Sequence, residues 1–207
     1  MNKRNYIKEL DQIINEIKES GVREKLLLHS CCAPCSSHTL LYLSDYFEII
    51  DLYYNPNISP NDEYIKRVKE QERFINEINK EYGYSIDFIE GKYDPSEFYE
   101  KVKGFEDVPE GGERCFICYE MRLREAAEYA KKLGCKYFTT TLSISPLKNA
   151  EKINEIGEKL AIEYGVSHLP SDFKKKDGYK KSIELSAKYD LYRQNYCGCV
   201  FSKKGVE

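Results

Sequence analysis

Leu26-Leu27-Leu28-His29-Ser30-Cys31-Cys32-Ala33-Pro34-Cys35-Ser36-Ser37 is the stretch from which the fold can be read. An apolar run stops, three cysteines fall within five positions, and a helical pattern begins. That order reads as a buried strand, a tight turn and a helix N-terminus. Free N–H groups and partial positive charge at a helix start favour thiolate over thiol. A thiolate binds metal or attacks a disulfide, so the turn is a candidate half-site that the rest of the chain must complete.

Outward from this turn, strands and helices alternate. Ile7, Leu10, Ile13, Ile14 and Ile17 share one face of a helix over residues 4–18, stopped by Gly21. Leu26 to Ser30 is the first strand and Phe47 to Tyr54 the second. Pro60 fits the first turn of a helix that runs to Tyr82, with Ile65, Val68, Ile75, Ile78 and Tyr82 on one face. Ser85 to Glu90 is a third strand, and Asp94-Pro95-Ser96-Glu97 starts a short helix. A Gly-, Pro- and acid-rich linker, Gly104 to Gly112, leads to a long helix opening at Glu113-Arg114-Cys115 and closed by Gly134. Lys136 to Leu142 is a fourth strand, ending in Thr139-Thr140-Thr141, and Val166 to Leu169 a short fifth. A helix bearing Ile183, Leu185 and Tyr189 follows the basic run near the C-terminus. This alternation predicts one α/β domain over 1–207, a parallel sheet with helices on both faces, and a cysteine-bearing extension over 170–207 that completes the metal site. Ligands of such sheets sit beyond the strands' carboxyl ends, where the first cysteine cluster and the threonines fall.

The 207 residues carry a formal charge of -3, so nucleic acid must be met by a local basic patch, not a basic body. No apolar run reaches the ~20 residues of a membrane span, and Lys3 and Arg4 precede no apolar leader, which points to the cytoplasm. Eight cysteines in such a chain point to metal or redox chemistry, not to a disulfide framework. Seven of them cluster as Cys31/Cys32/Cys35, Cys115/Cys118 and Cys197/Cys199, while Cys135 reads as a small buried hydrophobe. Thioredoxin-like exchange explains only Cys32-Ala33-Pro34-Cys35. Structural zinc uses four thiolates and leaves three over. An iron–sulfur cluster plus a second metal or redox pair uses all seven. His29, His38 and His168 stand alone in sequence and read as packed or surface residues.

The motifs taken together resemble the QueH family of epoxyqueuosine reductases. They are Leu27-x-His29-Ser30-Cys31-Cys32-Ala33-Pro34-Cys35, Tyr54-Asn55-Pro56-Asn57-Ile58, Glu113-Arg114-Cys115-x-x-Cys118-Tyr119, Thr140-x-Leu142-x-x-Ser145-Pro146, Asp172-Phe173-Lys174-Lys175 and Tyr192-Arg193-Gln194-x-Tyr196-Cys197-Gly198-Cys199. The resemblance implies an adenine-nucleotide alpha-hydrolase-like (Rossmann-like) fold. It implies removal of the epoxide oxygen from epoxyqueuosine in tRNA, the last step of queuosine formation. It also implies a [4Fe-4S] cluster with a second, mononuclear iron, and an electron donor that the sequence does not identify. Carried over by motif, Cys31, Cys32, Cys115 and Cys118 are cluster ligands. Cys197 and Cys199 are ligands of the second iron or a redox-active pair, with Cys35 a further candidate. The cysteine turn occupies the place of a phosphate loop in related folds, so ATP chemistry is not expected. Asn55, Asn57, Phe173, Tyr192, Arg193 and Gln194 are candidates to hold the modified base. Lys174, Lys175, Lys176, Lys180 and Lys181 are candidates for tRNA phosphates, and Glu113, Asp172 and Tyr192 for the proton donor. The competing reading is a zinc-stabilised tRNA-binding or thiol-redox protein.

Overall fold

A computed structural model describes residues 4–203; Lys3 and residues 204–207 of the extension lie outside them. The chain runs α1 (Tyr6–Ser20), β1 (Glu24–His29), α2 (Ala33–Ser44), β2 (Phe47–Tyr53), α3 (Asn61–Tyr82), β3 (Asp87–Glu90), α4 (Pro95–Lys101), α5 (Glu113–Lys132), β4 (Tyr137–Thr140), α6 (Ala150–Tyr164), β5 (Ser167–His168) and α7 (Gly178–Lys188). The five strands pair in parallel in the order β3-β2-β1-β4-β5, the doubly wound arrangement expected of a Rossmann-like α/β fold.

β1 is central because it is buried on both faces. Leu26, Leu27 and Leu28 have no exposed surface. Alternation sends Leu26 and Leu28 into a core with Leu40, Phe47, Phe74 and Ile75, and Leu27 into the opposite core with Tyr119, Leu123, Phe138 and Ile153. Helices α1, α2 and α3 therefore cover one face, and α5 and α6 the other. Burying each leucine contributes roughly 1.5–3 kcal/mol.

Several boundaries differ from the sequence reading. β4 stops at Thr140, and Thr141 enters a one-turn 3-10 helix (Thr141–Ile144) whose Leu142 N–H the Thr140 hydroxyl caps. Pro60 is the N-cap of α3 and precedes its first turn. Ile65 and Tyr82 are exposed; α3 instead buries Arg67 and Gln71 among its apolar residues. Ile183 is also exposed, and α7 turns Gly178, Ser182 and Ser186 inward. Small inward residues allow close approach: a Cβ on Gly178 would fall 1.9 Å from the Phe173 carbonyl oxygen. Cys135 is buried, as its isolation suggested.

His168 on β5 is buried, its ring edge-on to Phe138 and close against Gly157, and neither ring nitrogen has a partner among the described residues. Burial lowers its pKa to about 3. An unfolded imidazole takes up a proton near pH 6.5, so the stability held above that pH is lost as pH falls toward 3. We predict that His168→Leu flattens this acid dependence, read as the difference in urea midpoint between pH 7 and pH 4.5. An unchanged difference refutes it.

Candidate metal centre

The turn after β1 is fixed from both neighbouring strands. The Ser30 N–H continues the ladder to the Leu52 carbonyl at 2.9 Å. His29 Nε2 donates to the Tyr54 carbonyl at 3.0 Å, so Nδ1 accepts from the Thr140 hydroxyl at 2.8 Å. Burial lowers the His29 pKa to about 4, which keeps this neutral tautomer. The Cys31 N–H donates to the Thr141 hydroxyl at 3.3 Å. Beneath the turn lies a buried polar chain. Ser30 Oγ donates to Asp51, Gln71 Nε2 donates to the second Asp51 oxygen at 3.0 Å, and Ser36 Oγ donates to Gln71 Oε1 at 2.9 Å. Asp51 is fully buried, which raises its pKa to about 7. One carboxylate on β2 and one amide on α3 thus hold the residues on either side of the cysteines.

Cys32 is the N-cap of α2, and Pro34 lies in its first turn. The sulfurs of Cys31, Cys32 and Cys35 all lie within 4.8 Å of one another. Bonds from Cys31 and then Cys35 hold Cys32 well below the ordinary thiol range. Bonds to Cys31 and then Cys32 push Cys35 well above it, and the bond to Cys32 raises Cys31.

The other cysteines reach the same region from elsewhere in the chain. Cys115 and Cys118 sit on successive turns at the start of α5, where Cys115 accepts from the Gly111 N–H at 3.2 Å. Burial raises Cys118 to about 11. Cys197 and Cys199 arrive along α3. The Tyr192 N–H donates to Glu70 at 2.7 Å, Arg67 to the Cys197 carbonyl at 3.2 Å, and the Ser59 N–H to the Gly198 carbonyl at 2.9 Å. Gly198 has φ +106, and a Cβ there would lie 2.8 Å from Ile58 and 3.1 Å from Arg67, so glycine is required. A cavity of about 310 Å³ is lined by Cys31, Cys32, Cys35 and Cys197. A smaller one of about 20 Å³ is lined by Cys115, Cys118, Cys197 and Cys199. Glu110, Arg122, Lys148, Cys197 and Ser202 line both, so the three clusters meet across one wall. Cys115, Cys118, Cys197 and Cys199 stand outside the 4.8 Å group formed by the other three. All eight thiols are free.

The remaining candidates divide. Arg193 and Gln194 line the larger cavity, and Gln194 Oε1 is buried without a partner among the described residues. Asn57 is buried, and neither of its amide atoms has a partner among them. Asn55, Phe173 and Tyr192 do not line the larger cavity. Asn55 uses its amide inside the protein, donating to the Ser30 carbonyl at 2.8 Å and accepting from Arg122 at 3.3 Å. Phe173 is 3% exposed and packed in the core. The Tyr192 hydroxyl donates to Glu63, and Lys66 covers its ring at 3.3 Å. Among the basic run, Lys174, Lys176 and Lys180 pair with Asp172, Asp11 and Glu184. Lys175 and Lys181 are exposed, with no ion pair among the described residues. Of the proton-donor candidates, Asp172 is paired with Lys174 and Tyr192 is bound to Glu63. None of the three, Glu113 included, lines either cavity. Tyr179, which the sequence interleaves with the lysines as a stacking ring, lines the larger cavity, as do Glu110, Arg67, Arg122 and Lys148, which were not singled out from sequence. Arg122 alone left a trace there: it lies four and seven residues after Cys118 and Cys115, on the same helical face.

A family model described as epoxyqueuosine reductase QueH matches residues 26–205. A Staphylococcus epidermidis protein named epoxyqueuosine reductase QueH is 47% identical over 207 residues, covering 98% of this chain and 87% of its own length. A like-named Streptococcus pyogenes protein is 43% identical over 97% of this chain and 78% of its own length. One from Thermotoga maritima is 38% identical over 86% of this chain and 89% of its own. The chain belongs to the QueH family.

Two predictions follow from the supports of the turn. Gln71→Leu leaves Asp51 and Ser36 short of partners and lowers stability by about 1–3 kcal/mol in urea unfolding, and no loss refutes the bracing. Gly198→Ala frees the Cys197–Cys199 segment, read as faster alkylation of Cys199 with no metal present. Equal rates in the two proteins refute that.

Proposed function

We propose that this member of the QueH family removes the epoxide oxygen from epoxyqueuosine in tRNA, in the cytoplasm, at the wall shared by the two cavities. The observation that carries this is the meeting of three remote cysteine clusters around Arg122, Lys148 and Cys197. The donor set fits an iron–sulfur centre. It offers soft sulfur from seven cysteines, whereas Glu110 is the one carboxylate lining either cavity among the described residues. We assign Cys31, Cys32, Cys115 and Cys118 to a [4Fe-4S] cluster. Cys197 and Cys199 hold a second iron or act as a dithiol, and the closeness of Cys35 to Cys31 and Cys32 makes it a further ligand. When bound, such a centre supplies single electrons and a Lewis-acidic position for oxygen.

The reaction consumes two electrons from an external donor and two protons, breaks both C–O bonds of the epoxide, forms a C=C bond and releases water. The chain's own residues bind and orient. A cavity of about 310 Å³ is of the size that takes a small ligand group such as one modified base. Tyr179, 38% exposed, and Leu147, 69% exposed, line it and offer faces for stacking in place of Phe173. Gln194 Oε1 supplies a free acceptor for a base N–H, and Arg193 stands beside it. Lys148 Nζ holds protons 3.2 Å from Cys197 Sγ and 2.9 Å from Glu110, at the wall that Glu113, Asp172 and Tyr192 do not line. Lys174 and Lys175 line an open groove that shares Lys148 with the cavity, a path for tRNA phosphates. No helix among the described residues is long and apolar enough to cross a membrane.

Anaerobic reconstitution with iron and sulfide tests this. The expected protein is brown, carries about four or more irons per chain, and converts epoxyqueuosine in tRNA, read by mass spectrometry of nucleosides. Cys32→Ser and Cys118→Ser are expected to lose iron and turnover together, and Tyr179→Ala to raise KM more than it lowers kcat. A colourless protein holding one zinc and leaving the epoxide intact overturns the proposal in favour of a zinc-stabilised binding module.

A further inference from the structure

Between the two halves of the site stands a buried cation with no acid beside it. Arg122 is 2% exposed. Its Nε donates to the Cys118 carbonyl at 3.2 Å, one Nη to Asn55 Oδ1 at 3.3 Å, and the other Nη to Cys118 Sγ at 3.2 Å. All three acceptors are neutral while Cys118 is a thiol. Of the other cations near this wall, Lys148 pairs with Glu110 at 2.9 Å and Arg67 with Glu63 at 2.7 Å, while Arg114 donates to the Phe105, Glu106 and Val108 carbonyls and to no cysteine sulfur among the described residues. Among the described residues no carboxylate lies within ion-pair distance of Arg122. A guanidinium keeps its charge at any pH at which proteins remain folded. An uncompensated charge of this kind is among the most destabilising things a protein interior can hold.

Arg122 lines both cavities, whose cysteines come from all three clusters, and its guanidinium donates directly to Cys118 Sγ. As thiols these cysteines do not neutralise it. As thiolates they do, and a thiophilic metal converts cysteines to thiolates as it binds. We infer that Arg122 is the internal counter-ion of the metal-bound thiolate set, a positioning residue that destabilises the metal-free fold and stabilises the loaded one. This rests on the iron–thiolate reading above. The side chain is poorly placed to meet a tRNA phosphate, because its donors are already engaged and almost none of it is exposed; Arg193 and Lys175 serve the surface instead.

The same geometry has a redox consequence. A cation and an N–H aimed at a ligating sulfur stabilise the electron-rich, reduced state of a cluster and raise its potential. Arg122 would thus act through Cys118 on electron affinity without touching substrate.

The experiment compares the wild-type chain with Arg122→Lys, Arg122→Gln and Arg122→Met. Each is melted anaerobically in the metal-free form and after reconstitution with iron and sulfide, and the midpoint potential of each loaded protein is read by EPR-monitored titration. Gln keeps an amide donor for Asn55 without the charge, Met keeps the bulk, and Lys keeps the charge. Gln and Met are expected to raise the metal-free melting midpoint by about 2–4 °C, and a midpoint that does not rise overturns the destabilising half of the inference. Both are expected to lose about half or more of the rise that loading gives the wild type, and to move the potential to more negative values. Lys is expected to keep most of the rise and a potential nearer the wild type. If Gln and Met lower the two midpoints equally, fail to fold without metal, or leave both the loading rise and the potential unchanged, Arg122 is a packing residue and the inference is overturned. If the wild-type chain takes up no iron, the metal reading beneath it falls, which is a separate result from iron binding normally with no effect of Arg122.

Discussion

The constraint on which the site depends is the place where β1 stops. A central parallel strand must hand its chain to a helix beyond its carboxyl edge, and here the handover is made by Ser30 to Cys35. The neighbouring strands end at the same level and send polar groups back to it: Tyr54 and Asn55 after β2, Thr140 and Thr141 after β4. Each of these contacts is a hydrogen bond from a strand end to the turn or to the residue before it. Sheet register therefore becomes sulfur position. A one-residue slip of β1 against β2 or β4 would exchange its buried faces and remove these partners together.

On this frame the chain accumulates charge that an ordinary core would exclude. Among the described residues Asp51 lies under the cysteine turn without a cation partner, and Arg122 lies behind it without an anion partner. They do not pair with each other, because the residues around the turn stand between them. Asp51 reaches Ser30 and Gln71, while Arg122 reaches Asn55 and Cys118, and Ser30 and Asn55 are themselves joined. The network thus runs continuously from a buried acid to a buried base through the residue that opens the turn. Such networks hold a single arrangement when every member is satisfied and become costly when one is not. Among the described residues, the amide of buried Asn57 and the Oε1 of Gln194 in the cavity lining are left without partners.

The sequence made the layered architecture legible because its signals are local. Three leucines in a row, glycines at helix ends and alternation of strand and helix gave the parallel sheet. The cysteine clusters marked the site because spacing within each cluster is local too. What stayed hidden depends on contacts across the fold. Phe173 and Tyr192 looked like stacking rings, yet one fills a core and the other lies under Lys66 against α3. Asn55 looked like a ligand-facing amide, and its partners prove to be the Ser30 carbonyl and a helix sixty-odd residues away in sequence. Arg67, Lys148 and Glu110 carried no sequence signal, because nothing in a long amphipathic helix, a loop or an acidic linker says that its charge will line the site. The Ile65 and Tyr82 errors have the same root: an apolar period marks a candidate face, but α3 is turned so that Arg67 and Gln71 face in, toward Cys197 and Asp51.

That orientation of α3 explains why one helix serves two cysteine clusters that are far apart in the chain. Gln71 braces the turn that carries Cys31, Cys32 and Cys35, and Arg67, one turn earlier on the same face, holds the Cys197 carbonyl. Glu63 and Glu70 then guide the tail along the helix through Tyr192. The first and last clusters are thereby referenced to a single rigid rod and not to each other. Their separation is set by helix pitch, about 5.4 Å per turn, which does not require any bond between the clusters. The middle cluster has its own rod, α5, whose Arg122 touches Asn55 and so refers back to the same turn. Two helices on opposite faces of the sheet, each bringing one buried arginine to the end of β1, are enough to bring sulfurs from three stretches of chain to one wall. Arg67 and Arg122 are therefore part of the assembly itself, as well as of its charge.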